Sequence, residues 1–224
     1  MILQYKDYPL PLVNCKYFNV LNVENAKFYF ELLNDIYSDL HCASSNLFLS
    51  QDGKEVDKNK CLEWINSLWN LELNDRTHLS QLSKRIAKML FDKNLDSQII
   101  NLWLQIEEVI GNELFMEDGI ETSDDLPTLD KIVSLAGVRY VDILKANPLE
   151  RICDYVLVNA SYMNKKIFIF DSQLMFFKEK EIMLIKEFFE NEKLYSLFVE
   201  YNFSTDNPLI EKSIRTVDQD LCWI

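Results

Sequence analysis

The sequence is 224 residues long, 48% apolar and 12% aromatic, enough to give one large domain or two small ones a sizeable core, and this excludes a disordered chain. The formal charge is −13, no apolar run reaches the roughly 18 residues of a membrane helix, and the start, Met1 to Tyr8, has neither the basic region nor the apolar core of a signal peptide, so a cytoplasmic protein is expected. Cys15, Cys42, Cys61, Cys153 and Cys222 form no CxxC pair, and His41 and His78 are the only histidines, which points to free thiols and away from zinc or a His-dependent triad.

The opening predicts two short extended pieces around Pro9 and Pro11, because residues before proline avoid the helical region. A strand over Tyr17 to Asn22 follows. Glu24 to Leu40 then places Phe28, Leu32, Leu33, Ile36, Tyr37 and Leu40 at helical spacing. Asn46 to Ser50 reads as another strand, closed by the turn Gln51, Asp52, Gly53 and Lys54. Cys61 to Leu73 is ambiguous. Leu62, Ile65 and Trp69 suit a helix, while the alternation of Trp64, Asn66 and Leu68 suits a strand.

From Asp75 the character changes. Asn74 or Asp75 is placed to cap a helix running to about Phe91, with Leu79, Leu82, Ile86 and Leu90 on its inner face. A longer helix is expected from about Asp96 to Met116, burying Ile99, Trp103, Ile106 and Ile110 and stopping at Gly119. A third, short one begins near Pro127 and stops at Gly137. Three helices without a strand between them make residues 75–145 an α-helical insert, and 1–74 with 146–224 an α/β platform. Beyond the insert, Asn147, Pro148 and Glu150 signal a helix start. Lys166 to Asp171 is nearly all apolar, as in a strand covered on both faces. Lys178 to Glu190 is an amphipathic helix and Leu194 to Glu200 a buried strand, an order that implies parallel neighbours. Val217 to Ile224 is expected to add an edge strand.

The excess charge is local. No Lys or Arg lies between Lys93 and Lys131, whereas Asp96, Glu107, Glu108, Glu113, Glu117, Asp118, Glu121, Asp124, Asp125 and Asp130 all do. Carboxylates this dense repel unless they are solvated or neutralised by a hard cation with oxygen ligands, for which calcium is the usual candidate. The run lacks the spacing of an EF-hand loop. Asp124 and Asp125 equally suit the cap of the next helix, and the glutamates a solvated face. None of Gly53, Gly111, Gly119 and Gly137 begins the GxxxxGK spacing that wraps backbone amides around phosphates, so ATP hydrolysis is disfavoured.

Several stretches recur in a known order: Tyr8 to Leu12 before a strand and an aromatic-rich helix, the acidic helical insert, Ser134 to Val138, and the ending Asp218 to Ile224. The most telling is Lys165 to Glu181, KKIFIFDSQLMFFKEKE, with a basic pair, an apolar strand, a small polar turn and a charged helix. Together they resemble the small DNA-end-binding spacer-acquisition protein family of type II-A CRISPR systems, along almost the whole chain.

The resemblance implies an α/β fold: a P-loop-NTPase-like platform without a working nucleotide site, carrying an inserted α-helical domain. It further implies a non-enzymatic, ring-shaped homotetramer around double-stranded DNA, threaded from free ends, that presents those ends to the adaptation integrase and the effector nuclease. Calcium (Ca2+) would support both ring and DNA binding. By position, its ligands fall on Glu117, Asp118, Glu121, Asp124 and Asp125, with Glu113 one turn earlier, although Gly119 departs from the family spacing. Phosphate contacts supply nearly all sequence-independent affinity. The cations expected on DNA are therefore Lys84, Arg85, Lys88 and Lys93 of the insert and Lys165 and Lys166 before the strand. Two other readings stay open: a metal-dependent nuclease with Asp171 and insert carboxylates on magnesium, and an α/β adaptor that binds only protein through its acidic face.

Overall fold

The computed structural model describes residues 1–6, 8–42, 45–114, 125–141 and 147–223. They fall into two compact units, Met1–Leu71 with Ile143–Ile224, and Glu72–Asp142. The fold is α/β. In the first unit, β1 (Ile2–Tyr5), β2 (Val13–Asn14), β4 (Leu47–Gln51) and β5 (Lys54–Glu55) make a small antiparallel sheet in the order β2-β1-β4-β5. Asp52 and Gly53 join β4 to β5 with positive φ at both, the condition for a tight hairpin that matches strand twist.

The larger sheet holds β3 (Phe18–Val23), β6 (Leu62–Ile65), β7 (Ile167–Asp171), β8 (Tyr195–Tyr201) and β9 (Ile214–Val217). Its order is β6-β7-β8-β3-β9 and every pairing is parallel. Such a sheet needs cover on both faces, and side-chain alternation divides the residues accordingly. Leu21, Val23, Ile167, Ile169, Leu197 and Val199 share one core with Phe28, Leu32 and Ile36 of α1 (Ala26–His41) and with Leu3, Tyr5, Leu47 and Leu49 of the small sheet. The opposite parity is aromatic. Phe170 and Phe198 stack with centroids 4.4 Å apart, and Phe189 of α7 (Glu179–Glu192) meets Phe170 edge-on at 6.0 Å and Phe198 at 6.5 Å.

Polar residues lock the frame. Asp39 of α1, 1% exposed, accepts the N–H of Asn46 at 2.9 Å and of Leu47 at 2.7 Å and pairs with Lys58. The α6 helix (Pro148–Tyr162) opens with a capping box, the Asn147 side chain accepting from Glu150 N at 2.9 Å. The ambiguous stretch, Cys61 to Leu73, resolves into the strand β6 followed by turns, and the chain enters it from a single helical turn, α2 (Lys58–Cys61). The expected tail strand is displaced: the short helix α8 (Pro208–Glu211), capped by Asn207, turns the chain so that Ile214 lies beside Val20. Among the described residues the tail itself adds only an antiparallel bridge, Val217 to Trp223.

The second unit holds α3 (Arg76–Asp92), α4 (Asp96–Leu114) and α5 (Leu129–Leu135). Asp75 caps α3, accepting from Thr77 N at 2.7 Å and His78 N at 3.1 Å. The Asn74 amide both accepts from Tyr140 N at 2.9 Å and donates to Tyr140 O at 3.2 Å, tying the two ends of the unit together. Gly137, with φ +71°, ends α5 in the left-handed conformation. Leu82 is buried on α3 as expected, joined by His78 and Ser83, while Leu79, Ile86 and Leu90 are half-buried.

The expected buried stripe of α4 is not found. No residue of α4 is buried, and Ile106 and Ile110 are about half exposed. Leu102, Leu104, Ile106, Val109 and Ile110 spread around the helix instead of sharing one line, and among the described residues the unit offers only α3 and α5 as cover. The expected stop at Gly119 lies outside the described residues. No described helix is long and apolar enough to cross a membrane.

Candidate functional site

Ligands of open parallel sheets settle at the carboxyl ends of the strands. There β7 ends in Asp171, and Glu200 stands one residue before the end of β8. Glu200 is 2% exposed, and one of its carboxylate oxygens accepts the Leu174 N–H at 2.9 Å. Burial pushes its carboxyl up to about 7, against the hydrogen bonds from the Leu174 and Gln173 backbone. Burial also raises Asp171, although the Tyr29 hydroxyl donates to it at 2.5 Å. The Ser172 hydroxyl meets the same Tyr29 oxygen, and the Gln173 amide nitrogen donates to the carbonyls of Asn66 and Asp171.

Burial favours the protonated Glu200 carboxyl at pH values below about 7. The folded pKa of Glu200 lies above its unfolded value of 4.5, so its contribution to stability is complete below that pH and is lost as pH rises through about 7. A denaturant titration is expected to find the wild type less stable at pH 8 than at pH 5, with about 3 kcal/mol from this group. Glu200→Gln, neutral throughout, should flatten the profile. An unchanged slope in the variant would assign the pH dependence elsewhere.

The turn from β3 into α1 is where a P-loop protein would wrap a phosphate. Here only Glu24 and Asn25 separate Val23 from Ala26. Asn25 caps the helix by accepting from Phe28 N at 3.0 Å, and Gln219 bonds both the Asn25 amide and the Glu24 carbonyl. That leaves no room for a phosphate-wrapping loop.

The sequence-predicted cations separate into two groups. Lys84, Arg85, Lys88 and Lys93 are exposed on α3 and at its end. Lys84 and Lys88 are one turn apart on one face. The Asp130 carboxyl of α5 is held below the usual range first by the Thr128 hydroxyl and, more weakly, by Lys84. Lys166 is exposed at the foot of β7. Lys165 is turned inward: its ammonium donates to Asn59 O at 2.9 Å and Leu62 O at 2.5 Å and pairs with Glu63 at 3.3 Å. Of the predicted calcium ligands, Glu113 and Asp125 are exposed, and Glu117, Asp118, Glu121 and Asp124 lie outside the described residues. Among the described residues, no three of the His, Cys, Asp and Glu side chains are grouped so as to hold a metal. Among the described residues Asp171 therefore has Glu200 beside it but no third carboxylate grouped with them of the kind a two-metal nuclease uses.

Residues 39–220 match the family model described as CRISPR-associated protein (Cas_Csn2). The chain belongs to the Csn2 family. The Csn2 match begins inside α1 and runs through β9, taking in α3, α4 and α5 and every candidate residue named from the sequence. No curated protein matches the sequence. In this Csn2 chain the sequence reading missed Glu200 and Tyr29. Glu200 had a signal, a lone carboxylate in the otherwise apolar run Leu197 to Tyr201; Tyr29 had none, since its partner lies 142 positions away.

Proposed function

We propose that this Csn2-family chain is a non-enzymatic ring protein that binds ends of double-stranded DNA without regard to sequence. In this reading it acts in CRISPR spacer acquisition and passes the ends to the adaptation integrase and the effector nuclease. The observation that carries the reading beyond the family is α4, a helix of 19 residues with apolar side chains on several faces and none of them buried. A second copy of the chain is the cover that suits it, since apolar area of this extent favours association. The charges on α4 are all acidic, Asp96, Glu107, Glu108 and Glu113, so copies brought together repel until a cation neutralises them.

Calcium fits that role, because it takes six to eight oxygen ligands and tolerates irregular carboxylate sets. Glu113, Glu117, Asp118, Glu121, Asp124 and Asp125 are its candidate ligands, and when bound it supplies charge neutralisation. Symmetry then repeats Lys84, Arg85, Lys88, Lys93 and Lys166 in each subunit of a homotetramer, which is how a polyanion assembles enough cations to hold another.

Two measurements test this. Band shifts should show linear duplex retained and closed circular duplex not, with retention lost on chelation of calcium and weakened as salt rises; equal binding to circles overturns the ring. Sizing of Val109→Glu, at a position 65% exposed and so tolerant of change, should give a smaller species than wild type. Retention of the wild-type assembly by the variant would remove α4 from the interface.

A further inference from the structure

At the amino end of the parallel sheet, opposite Asp171 and Glu200, lies a cavity of about 370 Å³ lined by Lys16, Tyr17, Lys186, Glu190, Lys212 and Ser213, together with Phe18. Three lysines from three separate segments converge here, and each segment is held by its own hydrogen bonds. Lys16 N donates to Asn14 O at 2.7 Å, and its carbonyl accepts from the Asn19 amide at 2.8 Å. Lys212 closes α8 through its N–H. Ser213 N donates to Ile210 O at 2.8 Å, while its carbonyl takes Val20 N at 3.0 Å. Lys186, from the middle of α7, donates to Leu209 O at 3.0 Å and to the Ser213 hydroxyl at 3.4 Å, which uses two of its three N–H groups.

Glu190 is the one carboxylate of the lining, and none of the described ion pairs involves Lys16, Lys186 or Lys212. The lining therefore carries a surplus of positive charge in a chain of net charge −13. Three lysines that share a lining with a single carboxylate repel one another, and an anion with several acceptor oxygens relieves that repulsion while using the remaining N–H donors. The volume lies within the range of small-molecule sites and exceeds what a single inorganic ion fills.

We propose that this pocket binds the phosphate oxyanions of a phosphoester or diphosphate, with Lys16, Lys186 and Lys212 as cationic donors and the Ser213 hydroxyl beside them. The source is either a free phosphorylated small molecule or the backbone of a nucleic acid, and the chemistry of recognition is the same. The site stands whether or not the chain forms a ring on duplex DNA.

Calorimetric titration of the full chain with sodium pyrophosphate, against sodium chloride at matched ionic strength, tests it. Binding above the chloride control is expected. It should weaken at least about tenfold in Lys16→Glu/Lys212→Glu and stay unchanged in Lys60→Glu, a lysine that pairs with Asp57 elsewhere. Circular dichroism checks that the double variant folds, and Lys212→Ala provides a milder change that should weaken binding in the same direction. Pyrophosphate heats no larger than those of chloride, or a double variant that binds as the wild type does, would overturn the proposal. A short duplex added to the pyrophosphate complex separates the sources: displacement assigns the pocket to nucleic-acid backbone, and simultaneous binding assigns it to a free phosphoester. A chain that takes pyrophosphate and no duplex keeps this pocket and loses the DNA reading.

Discussion

Replacing Asp39 by alanine is expected to remove roughly 3–5 kcal/mol of stability, the cost of breaking a buried charge pair, out of the 5–15 kcal/mol that holds a typical domain together. The donors to this carboxylate include the backbone N–H groups of Asn46 and Leu47 and the ammonium of Lys58. The Asp39 side chain is wholly inaccessible and that of Lys58 is 19% exposed, so the lysine left behind has little water to turn to. Both N–H groups also lose their acceptor at the point where β4 begins beside β1, so the damage should spread into the small sheet. Asp39→Asn keeps one acceptor oxygen and should cost less. Denaturant titration of both variants decides it, and a loss below about 1 kcal/mol for the alanine would show that the pair is dispensable.

Phe198→Ala should be comparably severe, by roughly 3–5 kcal/mol. Phe198 sits in the middle of β8, fully buried, between the stacked ring of Phe170, the ring of Phe18 at 5.4 Å and Phe189 of α7. Strands on both sides and a helix above leave these neighbours unable to close the space, so the cavity persists and its cost adds to the lost transfer free energy. Phe176→Ala provides the contrast: that ring is half exposed in a turn, and its loss should move the unfolding midpoint little. A small effect at Phe198 would mean that α7 shifts to fill the gap.

The parallel sheet is legible in the sequence because its central strands are covered on both faces. Ile167 to Phe170 and Leu197 to Val199 have no polar interruption, and the intervening Lys178 to Glu190 has helical period. The caps at Asp75 and Asn147 are legible for the same local reason, a short polar side chain just ahead of an apolar period. Edges are not. At β6 only Leu62 and Ile65 are buried, so its alternation is too short to choose between periods, and β9 depends on a turn made by Pro208. The α4 stripe was read as core because periodicity reports which residues prefer to leave water without saying what will cover them. Basic pairs mislead similarly: Lys165 and Lys166 look alike in sequence, yet Glu63, a hundred positions away, draws only the first inward. Likewise Lys16, Lys186 and Lys212 share a cavity that no spacing announces.

The wiring of the large sheet also governs how the chain reaches it. β3 appears within the first 23 residues, but both of its neighbours, β8 and β9, follow residue 194, and β6 waits for β7 across the whole helical unit. On the ribosome the first strand therefore remains without its lateral partners until nearly the entire polypeptide has emerged. Contact order is high, closure is slow, and Phe18 to Val23 is a sticky ribbon throughout synthesis. Until β8 and β9 arrive, the unpaired edges of β3 are open to pairing with other chains.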